Sequence, residues 1–560
     1  MKSKWTRKNF GAVSLLFCFL FVFVAVCSAH APFQDKNKDD GSGKGSFHLV
    51  GTGPGDADLL TARALNEIRK ADIVFCDPDR KDKLSSYVDF GGKQVLDGYG
   101  RLFRFYGRDC DKLTREERSR HSMSCEQYHR KQAEFAGLVR RAVAAGKHVV
   151  MLSSGDPTIY GPDMWCFKEL RELDPVVVPG LSSLNAANAA LQVSLGEVII
   201  TAPFKSKNKK DMIESLSGHD RATMVIFMPR NMKDLFARLL RVYPADTPAA
   251  VVSYAGHAGR QNVKISTVGD MAGALPEDMR RSLVYVGKSL GRAQYKPAEK
   301  APSGKDKFYL VGIGPGDPDL ATLRALKVME MADVIFAGKR ISDRFGAYLK
   351  GKKVIPGYHR LFPFYGKDCS KLTPEEKARE RMSCEEYHRK QAEFASMVRA
   401  SVFQGKTVAM LDSGDPLIYG PCSWVLTELR DLDTEVVPGL SCFNAANAAL
   451  CAGVTEGKSS HSVILASGWS VQEMAEHRST MVLFTMRTQL KKFIDKLSKH
   501  YPSHTPVGIV FSAGYAEKEK VVRATLGSIL DKVGENKLPF EYLLYVGDFL
   551  ADGTTASLTK

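Results

Sequence analysis

The first 29 residues of this 560-residue chain contain no aspartate or glutamate, although the whole chain has 63 acidic residues. Their four basic residues precede an apolar run that extends from Ala12 to Ala29. A basic start, an apolar centre and small residues at the end are typical of a secretory signal, and the run is also just long enough for a membrane anchor. We therefore expect residues 1–29 to be a signal peptide or N-terminal anchor, residues 30–46 to be a linker, and the protein to be exported to the periplasm or cell envelope.

The rest of the chain has no strong compositional bias. Four of the 79 basic residues fall in the first segment, so 75 remain against 63 acidic residues. With 44% hydrophobic residues, the chain has an ordinary globular composition and is long enough for several domains with full cores. The basic balance suits an anionic partner, but charge alone does not identify one, and no nucleic-acid partner is expected.

The turn VGTGPGD at 50–56 and its repeat VGIGPGD at 311–317 lack a glycine at the last position of the GxGxxG pattern, where Asp56 and Asp317 stand instead. The dinucleotide-binding fingerprint needs that glycine, together with backbone N–H groups aimed at a pyrophosphate. Pro54 removes one such donor, and Asp56 would place negative charge where phosphate should lie. Asp77 could act as the ribose-binding acid, but its counterpart in the repeat is Gly338. The pattern therefore disfavours an NAD-dependent enzyme.

The chain contains two copies of one domain-length sequence. Long matching stretches include FHLVGTGPGDADLLTARAL with FYLVGIGPGDPDLATLRAL, SCEQYHRKQAEFA with SCEEYHRKQAEFA, and VVPGLSSLNAANAAL with VVPGLSCFNAANAAL. A period near 260 residues is far too long for a solenoid and indicates tandem domains. The predicted divisions are domain 1 at 47–290, a linker at 291–307, domain 2 at 308–549 and a tail at 550–560.

Each copy alternates short apolar runs with amphipathic stretches. FHLVG and DIVFCD are typical of buried strands, and the apolar residues between them lie on one helical face. This alternation predicts an α/β fold with a mainly parallel sheet, in which ligands bind beyond the carboxyl ends of the strands. Two further turns at such ends, SSGDPTIYG (153–161) and PGLSSLNAANAA (179–190), recur as DSGDPLIYG and PGLSCFNAANAA.

The joint order GxGPGDxxLLT, ADxVxxD, SGDPxIYG and PGxSSxxAA resembles the tetrapyrrole (corrin/porphyrin) methylase family over nearly the whole chain, twice. The resemblance implies S-adenosyl-L-methionine as cofactor and a two-subdomain α/β fold around a cleft in each copy. The cofactor contacts that it implies in the first copy are Pro54, Ser154, Gly155, Asp156, Ile159, Ser182, Ser183, Met228 and Gly256. Those in the second copy are Pro315, Ser413, Gly414, Asp415, Ile418, Ser441, Cys442 and Gly514.

The same resemblance makes Asp77 the candidate catalytic acid or base. Its loss at Gly338, and the replacement of Met228 by Thr485, put catalysis by the second copy in doubt. A basic cleft would hold an anionic tetrapyrrole, and the candidate cations are Arg101, Arg104, Arg108, Arg360 and Lys367.

Both copies carry an insert, GYxRLFxFYGxDCxKLTxEE followed by MSCExYHRKQAEFA, that the resemblance does not explain. In an exported protein its cysteines would pair as Cys110–Cys125 and Cys369–Cys384. Alternatively, Cys125 with His129 and Cys384 with His388, each four apart on a predicted helix, are weak candidates for metal or haem ligation. No metal is otherwise expected.

Two functions remain from the sequence. The first is a tandem S-adenosylmethionine-dependent methyltransferase acting on a tetrapyrrole or related anionic ligand. The alternative is an exported, non-catalytic tetrapyrrole- or haem-binding protein, because the supply of S-adenosylmethionine outside the cytoplasm is doubtful. The duplication also predicts that the two copies form an internal pseudo-dimer.

Overall fold

Each copy begins with a five-stranded parallel sheet. The computed structural model describes residues 44–552 except 120, 205–208, 274–280, 294–305, 469, 485–489 and 536–537, so the predicted signal or anchor and Thr485 lie outside the described residues. In the first copy the strand order is β3-β2-β4-β1-β5. The strands are β1 (Ser46–Gly51), β2 (Ile73–Phe75), β3 (Gln94–Leu96), β4 (His148–Ser153) and β5 (Val176–Val178).

Helices connect these strands. They are α1 (Ala62–Lys70), α2 (Pro78–Leu84), α3 (Arg115–Ser119), α4 (Cys125–Ala144), α5 (Trp165–Glu169) and α6 (Ser183–Leu191). Helix α1 forms where the sequence places apolar residues at helical spacing, and it buries Ala64, Leu65 and Ile68. Helix α4 begins after the capping residue Ser124 and ends just before Gly146, whose φ of 78° stops the helix.

The first copy continues into a second sheet. Its strands are β6 (Glu197–Thr201), β7 (Ala222–Phe227), β8 (Pro248–Ser253), β9 (Asn262–Thr267) and β10 (Ser282–Val286), with helices α7 (Met232–Leu239) and α8 (Val268–Gly273). Only β6 and β7 are parallel here; the other neighbours are antiparallel.

The second copy repeats the parallel sheet in the order β13-β12-β14-β11-β15. Its strands are β11 (Phe308–Gly312), β12 (Val334–Phe336), β13 (Lys353–Ile355), β14 (Val408–Asp412) and β15 (Thr434–Val437). Its helices are α9 (Leu323–Met331), α10 (Lys339–Arg344), α11 (Gly346–Leu349), α12 (Pro374–Ala378), α13 (Cys384–Phe403), α14 (Val425–Glu428) and α15 (Cys442–Ala449).

The second sheets of the two copies merge into one ten-stranded sheet, β19-β18-β20-β17-β16-β6-β7-β10-β8-β9. The second copy contributes β16 (Val463–Ser467), β17 (Thr480–Phe484), β18 (Pro506–Phe511), β19 (Lys520–Thr525) and β20 (Tyr542–Val546), with α16 (Val471–Ala475), α17 (Leu490–Leu497) and α18 (Ile529–Val533). The join is the antiparallel pair β6–β16, in which Ile199 lies opposite Ile464. Apolar residues from both copies form the cores on the two faces of this sheet.

Reciprocal ion pairs also connect the copies. The Nε atom of Arg63 on α1 donates to Asp319 (2.8 Å), and the Nε atom of Arg324 on α9 donates to Asp58 (2.8 Å). Beside them, the N–H of Ala62 donates to the carbonyl of Ala321 (3.0 Å), and the N–H of Leu323 donates to the carbonyl of Leu60 (2.9 Å). The predicted fold class is therefore confirmed, with two α/β copies and two subdomains in each. Within the described residues, no helix is both long and apolar enough to cross a membrane.

Candidate active site

Three glycine-containing turns meet at the carboxyl end of the first parallel sheet. The N–H of Gly155 donates to the carbonyl of Gly53 at 3.1 Å. A Cβ on Gly51 would lie 2.5 Å from the backbone nitrogen of Gly180, and one on Gly180 would lie 2.3 Å from the carbonyl oxygen of Gly155. Only glycine allows this approach, which explains why the sequence repeats it in all three turns.

A fourth turn packs on the first. The N–H of Asp56 donates to the carbonyl of Gly256 (2.8 Å), and the Asp56 carboxylate accepts from the N–H of Ala258 (3.0 Å). Arg324 of the second copy pairs with the same carboxylate at 3.2 Å. Asp56 therefore holds protein segments together, consistent with the prediction that this turn is not a pyrophosphate site.

A cleft of about 1510 Å³ opens beside these turns, between the parallel sheet and the second sheet of the first copy. Gly256 does not line it, although its neighbours Ala255 and His257 do. Most residues that the family resemblance implies as cofactor contacts in this copy line the cleft: Pro54, Ser154, Gly155, Asp156, Ile159, Ser182, Ser183 and Met228.

Asp77 also lines the cleft. It is the N-cap of α2, where its Oδ1 atom accepts from the N–H of Arg80 at 2.9 Å, and its Oδ2 atom lies 3.2 Å from the Arg80 guanidinium. The side chain is 46% exposed, so one side of the carboxylate remains accessible from the cleft. Asp77 thus combines helix capping with a position at the candidate reaction centre.

The cleft wall contains five non-glycine residues in the left-handed backbone region. Such conformations cost of order 1–3 kcal/mol each when they are strained and concentrate at functional sites. These residues, with φ between 50° and 59°, are Arg101, Tyr160, Met228, Tyr254 and Arg281.

Among the residues that the structure describes, five cationic side chains line the same cleft: Arg80, Lys83, Arg101, Arg230 and Arg281. Burial, together with the neighbouring Arg80, lowers the pKa of Lys83 to about 8. Only Arg101 was among the cations predicted for this copy. The sequence signal for Arg80 and Lys83 is their position on the short helix that begins at Asp77.

The predicted cations Arg104 and Arg108 are not among the residues that line the cleft. Arg104 contacts His121 and stacks on Phe103, and Arg108 pairs with Glu117 at 2.8 Å. The prediction of a substrate-facing role for these two residues is wrong, because local partners within the insert hold both side chains.

Asp156, a predicted cofactor contact, makes its side-chain contacts with the protein. Its Oδ2 atom accepts from the side-chain amide of Asn444 in the second copy (2.7 Å), and its Oδ1 atom accepts from Thr158. Burial raises the pKa of Asp156 to about 6. The reciprocal pair, Asp415 with Asn185 of the first copy, lies at 2.8 Å, and burial raises the pKa of Asp415 to about 7. Each copy therefore donates an asparagine side-chain hydrogen bond to the Gly-Asp-Pro turn of the other copy.

The second copy repeats the turn geometry. Gly414 donates to the carbonyl of Gly314 at 3.0 Å, and a Cβ on Gly316 would lie 2.1 Å from the carbonyl carbon of Gly514. The carbonyl of Pro315 lies against Gly514. Of the other residues that the resemblance implies here, Ser413 is exposed beside Gly414, and Ile418 and Asp415 are buried. Ser441 caps α15, whose first residue is Cys442, by accepting from the N–H of Asn444.

The surroundings of these turns differ between the copies. Gly338 occupies the N-cap of α10 without a side-chain cap, and Ile341 and Glu541 stand where the first copy has Arg80 and Arg281. His359 lies beside Gly338, with its Nε2 atom 3.4 Å from the buried carboxylate of Asp412. The acid and two cations of the first cleft are therefore absent from the corresponding positions.

The insert of each copy is closed by a disulfide, Cys110–Cys125 and Cys369–Cys384. These bonds leave no thiolate for a metal, so the metal candidates Cys125 with His129 and Cys384 with His388 do not form a ligand set. Instead, the Nε2 atom of His129 hydrogen bonds with the carbonyl of Phe105 at 2.9 Å, and His388 does the same with Phe364. The insert of the first copy begins at the cleft, where Tyr99 and Arg101 are lining residues.

Comparison with known proteins agrees with this arrangement. The family model "Tetrapyrrole (Corrin/Porphyrin) Methylases" matches residues 46–272 and again residues 307–530. A cobalt-precorrin-4 C(11)-methyltransferase from Methanocaldococcus jannaschii is 32% identical over 44% of this chain and 88% of its own length. A precorrin-4 C(11)-methyltransferase from Pseudomonas aeruginosa is 28% identical over 43% of this chain and 90% of its own length. A uroporphyrinogen-III C-methyltransferase from Priestia megaterium is 28% identical over 43% of this chain and 97% of its own length.

Proposed function

Because the chain belongs to the tetrapyrrole (corrin/porphyrin) methylase family, we propose that its first copy transfers a methyl group from S-adenosylmethionine to a carbon of a carboxylated tetrapyrrole. The observation that carries this proposal is the cleft of the first copy, which combines the cofactor-type turns, Asp77 and five cations. The names of the relatives support a C-methyltransferase rather than a non-catalytic binding protein.

The residues of the cleft fit the cofactor. Gly155 has a φ of 73°, and the nearest atom to a Cβ built on it is 3.7 Å away, so its surface is open to the cleft. Ser182 is held by a hydrogen bond from the N–H of Leu184 (3.1 Å), and Met228 is 41% exposed. These residues, with Ser154 and Ser183, would hold S-adenosylmethionine. When bound, it supplies an electrophilic methyl group.

The chain's own groups then have three tasks. The cationic side chains bind the carboxylates of the macrocycle through charge-assisted hydrogen bonds and fix its orientation. Apolar lining residues such as Phe204 and Phe227 exclude water. Asp77 accepts the proton that the macrocycle releases elsewhere when the methyl group adds to a ring carbon, since its carboxylate is accessible and faces the cleft.

The second copy is proposed to support the first rather than to repeat its reaction. In the second copy, Gly338 stands at the position of the carboxylate Asp77, and Glu541 stands at the position of the cation Arg281. The second copy contributes Asn444 to the first copy's turn and half of the ten-stranded sheet. The pair of copies would then act as an internal pseudo-dimer, and a solution mass near twice that of the chain would contradict this arrangement.

Export is proposed on the N-terminal pattern, and the two disulfides favour an oxidising compartment. Mass spectrometry of the protein secreted to the periplasm of a bacterial host would identify a mature N-terminus after Ala29 or a retained anchor. Recovery of the full-length chain in the cytoplasmic fraction with free thiols at these four positions would contradict export.

The experiment for the activity uses matched variants. Ser183→Tyr fills the cofactor side of the first cleft, and Cys442→Tyr makes the corresponding change at the start of α15. With labelled S-adenosylmethionine and uroporphyrinogen III as a probe, we expect the first variant to lose methyl transfer and the second to retain it. If excess S-adenosylmethionine gives the unaltered protein neither heat of binding nor thermal protection, the proposed function is wrong.

A further inference from the structure

A cluster of two histidines and one glutamate lies at the opposite end of the first parallel sheet. His48 is on β1, His148 is the first residue of β4, and Glu67 is on α1, which packs over both strands. Ser46 pairs with His148 in the parallel register, so His48, two residues further on, points to the same face. The cluster is about 10 Å along β1 from Gly51 and therefore separate from the cleft.

The three side chains converge on one point. The Nδ1 atom of His48 lies 2.8 Å, and the Nε2 atom of His148 3.1 Å, from the same Oε2 atom of Glu67. Both ring nitrogens are buried, and among the described residues this Glu67 oxygen is the one partner that each of them contacts. Ligand atoms around a tetrahedral zinc ion are roughly 3.3 Å apart, which is close to these separations.

The remaining polar contacts fix the side chains in ligand-like orientations. The Nδ1 atom of His148 is hydrogen bonded to the hydroxyl of Ser46 at 2.5 Å, so its Nε2 atom faces Glu67. The other Glu67 oxygen, Oε1, has Lys70 at 3.9 Å. An outer hydrogen bond that sets the orientation of a ligating imidazole is typical of zinc sites.

The second copy shows that the fold does not need these groups. The corresponding positions hold Tyr309, Val328 and Thr407, which are 0%, 0% and 3% exposed. The three ligand-type residues therefore occur in the first copy alone, where they form a partly buried charged cluster. The second copy has the same fold with uncharged side chains at the three matching positions.

We propose that His48, Glu67 and His148 bind one divalent transition-metal ion of the zinc class. Two neutral imidazoles and one carboxylate are a normal zinc ligand set, and water completes the coordination, because each side chain keeps 16–17% exposure. The bound ion holds the start of β1, the start of β4 and α1 together. It stabilises the first copy and takes no part in the chemistry at the cleft.

The test uses the full chain with its disulfides oxidised, stripped of metal and titrated with Zn²⁺ against a chromophoric chelator. The triple variant H48Y/E67V/H148T carries the residues of the second copy at all three positions, and His504→Ala removes an exposed histidine elsewhere as the control. We expect the triple variant to bind one equivalent less than the unaltered protein and than His504→Ala. Equal stoichiometry in all three would overturn the proposal.

A more conservative variant and a spectroscopic measurement test the proposal even if the triple variant misfolds. Glu67→Gln retains the shape of the side chain, and we expect it to weaken zinc binding at least about tenfold while S-adenosylmethionine binding stays unchanged. Zinc X-ray absorption of the loaded protein should show only nitrogen and oxygen ligands at about 2.0–2.2 Å, two of them imidazoles. A Glu67→Gln affinity equal to that of the unaltered protein, or a spectrum without imidazole ligands, would also overturn the proposal.

Discussion

Lys83 shows at the scale of a single residue how burial sets the chemistry of the cleft. Its usual pKa of 10.5 falls to about 8 because burial and the nearby Arg80 disfavour its charged form. A lysine whose pKa is lowered in this way is protonated in only part of the neutral pH range, and it binds a carboxylate strongly only in its protonated form. The sequence reveals the residue but not this environment, which depends on how α2 faces the second sheet.

We therefore expect tetrapyrrole affinity to fall between pH 7 and pH 9, as Lys83 loses its proton. Lys83→Met should weaken binding about 10- to 100-fold at pH 7, the range expected for a hydrogen bond to a charged group, and should remove the pH-dependent step. Lys81→Met, on the exposed side of the same helix, is the control. Fluorescence titration with uroporphyrin III at both pH values measures the effect; an unchanged step in Lys83→Met would contradict it.

Asp156 and Asp415 are buried carboxyls whose pKa values rise to about 6 and about 7. Because the folded state then holds the proton more tightly than the unfolded state, each carboxyl adds stability at low pH that is lost as pH rises through these values. Their partners across the copies, Asn444 and Asn185, offset part of the cost of ionisation. The sequence could not predict these partners, since each pair is separated by more than 200 residues along the chain.

Replacing Asn444 with leucine should destabilise the protein by about 1–3 kcal/mol, because it leaves a buried carboxylate oxygen without a donor. The loss should be larger at pH 8 than at pH 5, where Asp156 is mostly protonated. Asn185→Leu is the matched variant, and its pH-dependent step should centre nearer 7 than 6. Urea unfolding from pH 5 to 8 measures both; losses that do not change with pH would refute the assignment.

The turns and inserts illustrate what can be predicted at the scale of an element. Repeated glycines at strand ends predicted that the turns converge, because the carboxyl ends of parallel strands meet at one sheet edge. The paired cysteines predicted the bridges Cys110–Cys125 and Cys369–Cys384. The sequence did not show which residues of the insert face the cleft. We therefore predicted that Arg104 and Arg108 line the cleft, whereas both side chains contact residues of the insert.

Removing the bridge with Cys110→Ser/Cys125→Ser should cost on the order of 3 kcal/mol, the value for a loop of this length in the chain-entropy model. Cys369→Ser/Cys384→Ser removes a bridge that closes a loop of equal length and should cost a similar amount. Only the first pair should also weaken tetrapyrrole binding, since that insert carries Tyr99 and Arg101 into the cleft. Thermal unfolding and ligand titration separate the effects, and equal loss of binding in both variants would argue against this role.

At the scale of the whole molecule, the two copies share cores, turns and ion pairs. The repeat itself predicted two domains of one fold, but not the antiparallel join of β6 with β16 or the reciprocal arginine contacts. Arg324 is 7% exposed and Arg63 24%, so the two equivalent ion pairs differ in burial. The more deeply an ion pair is buried, the more the free energy of unfolding falls when one of its two residues is replaced.

Arg324→Met should therefore destabilise the protein by about 3 kcal/mol, because it leaves the Asp58 carboxylate without its cation and leaves Asp56 held by the N–H of Ala258. Arg63→Met, at the equivalent position, should cost about 1 kcal/mol, because Arg63 is itself the more exposed of the two arginines and its ion pairs are better screened by solvent. Chemical denaturation of both variants at the same pH gives the comparison. Equal costs would show that burial does not distinguish the two pairs.

The continuous sheet through β6 and β16 has an evolutionary consequence. When two identical chains associate, every mutation is expressed on both sides of the axis, so neither side can specialise. Within one chain that constraint is absent, so one half can carry Gly338 where the other has Asp77, and His48, Glu67 and His148 can stand in one half alone. Two copies in a single chain thus offer two independently variable sides within one folded body.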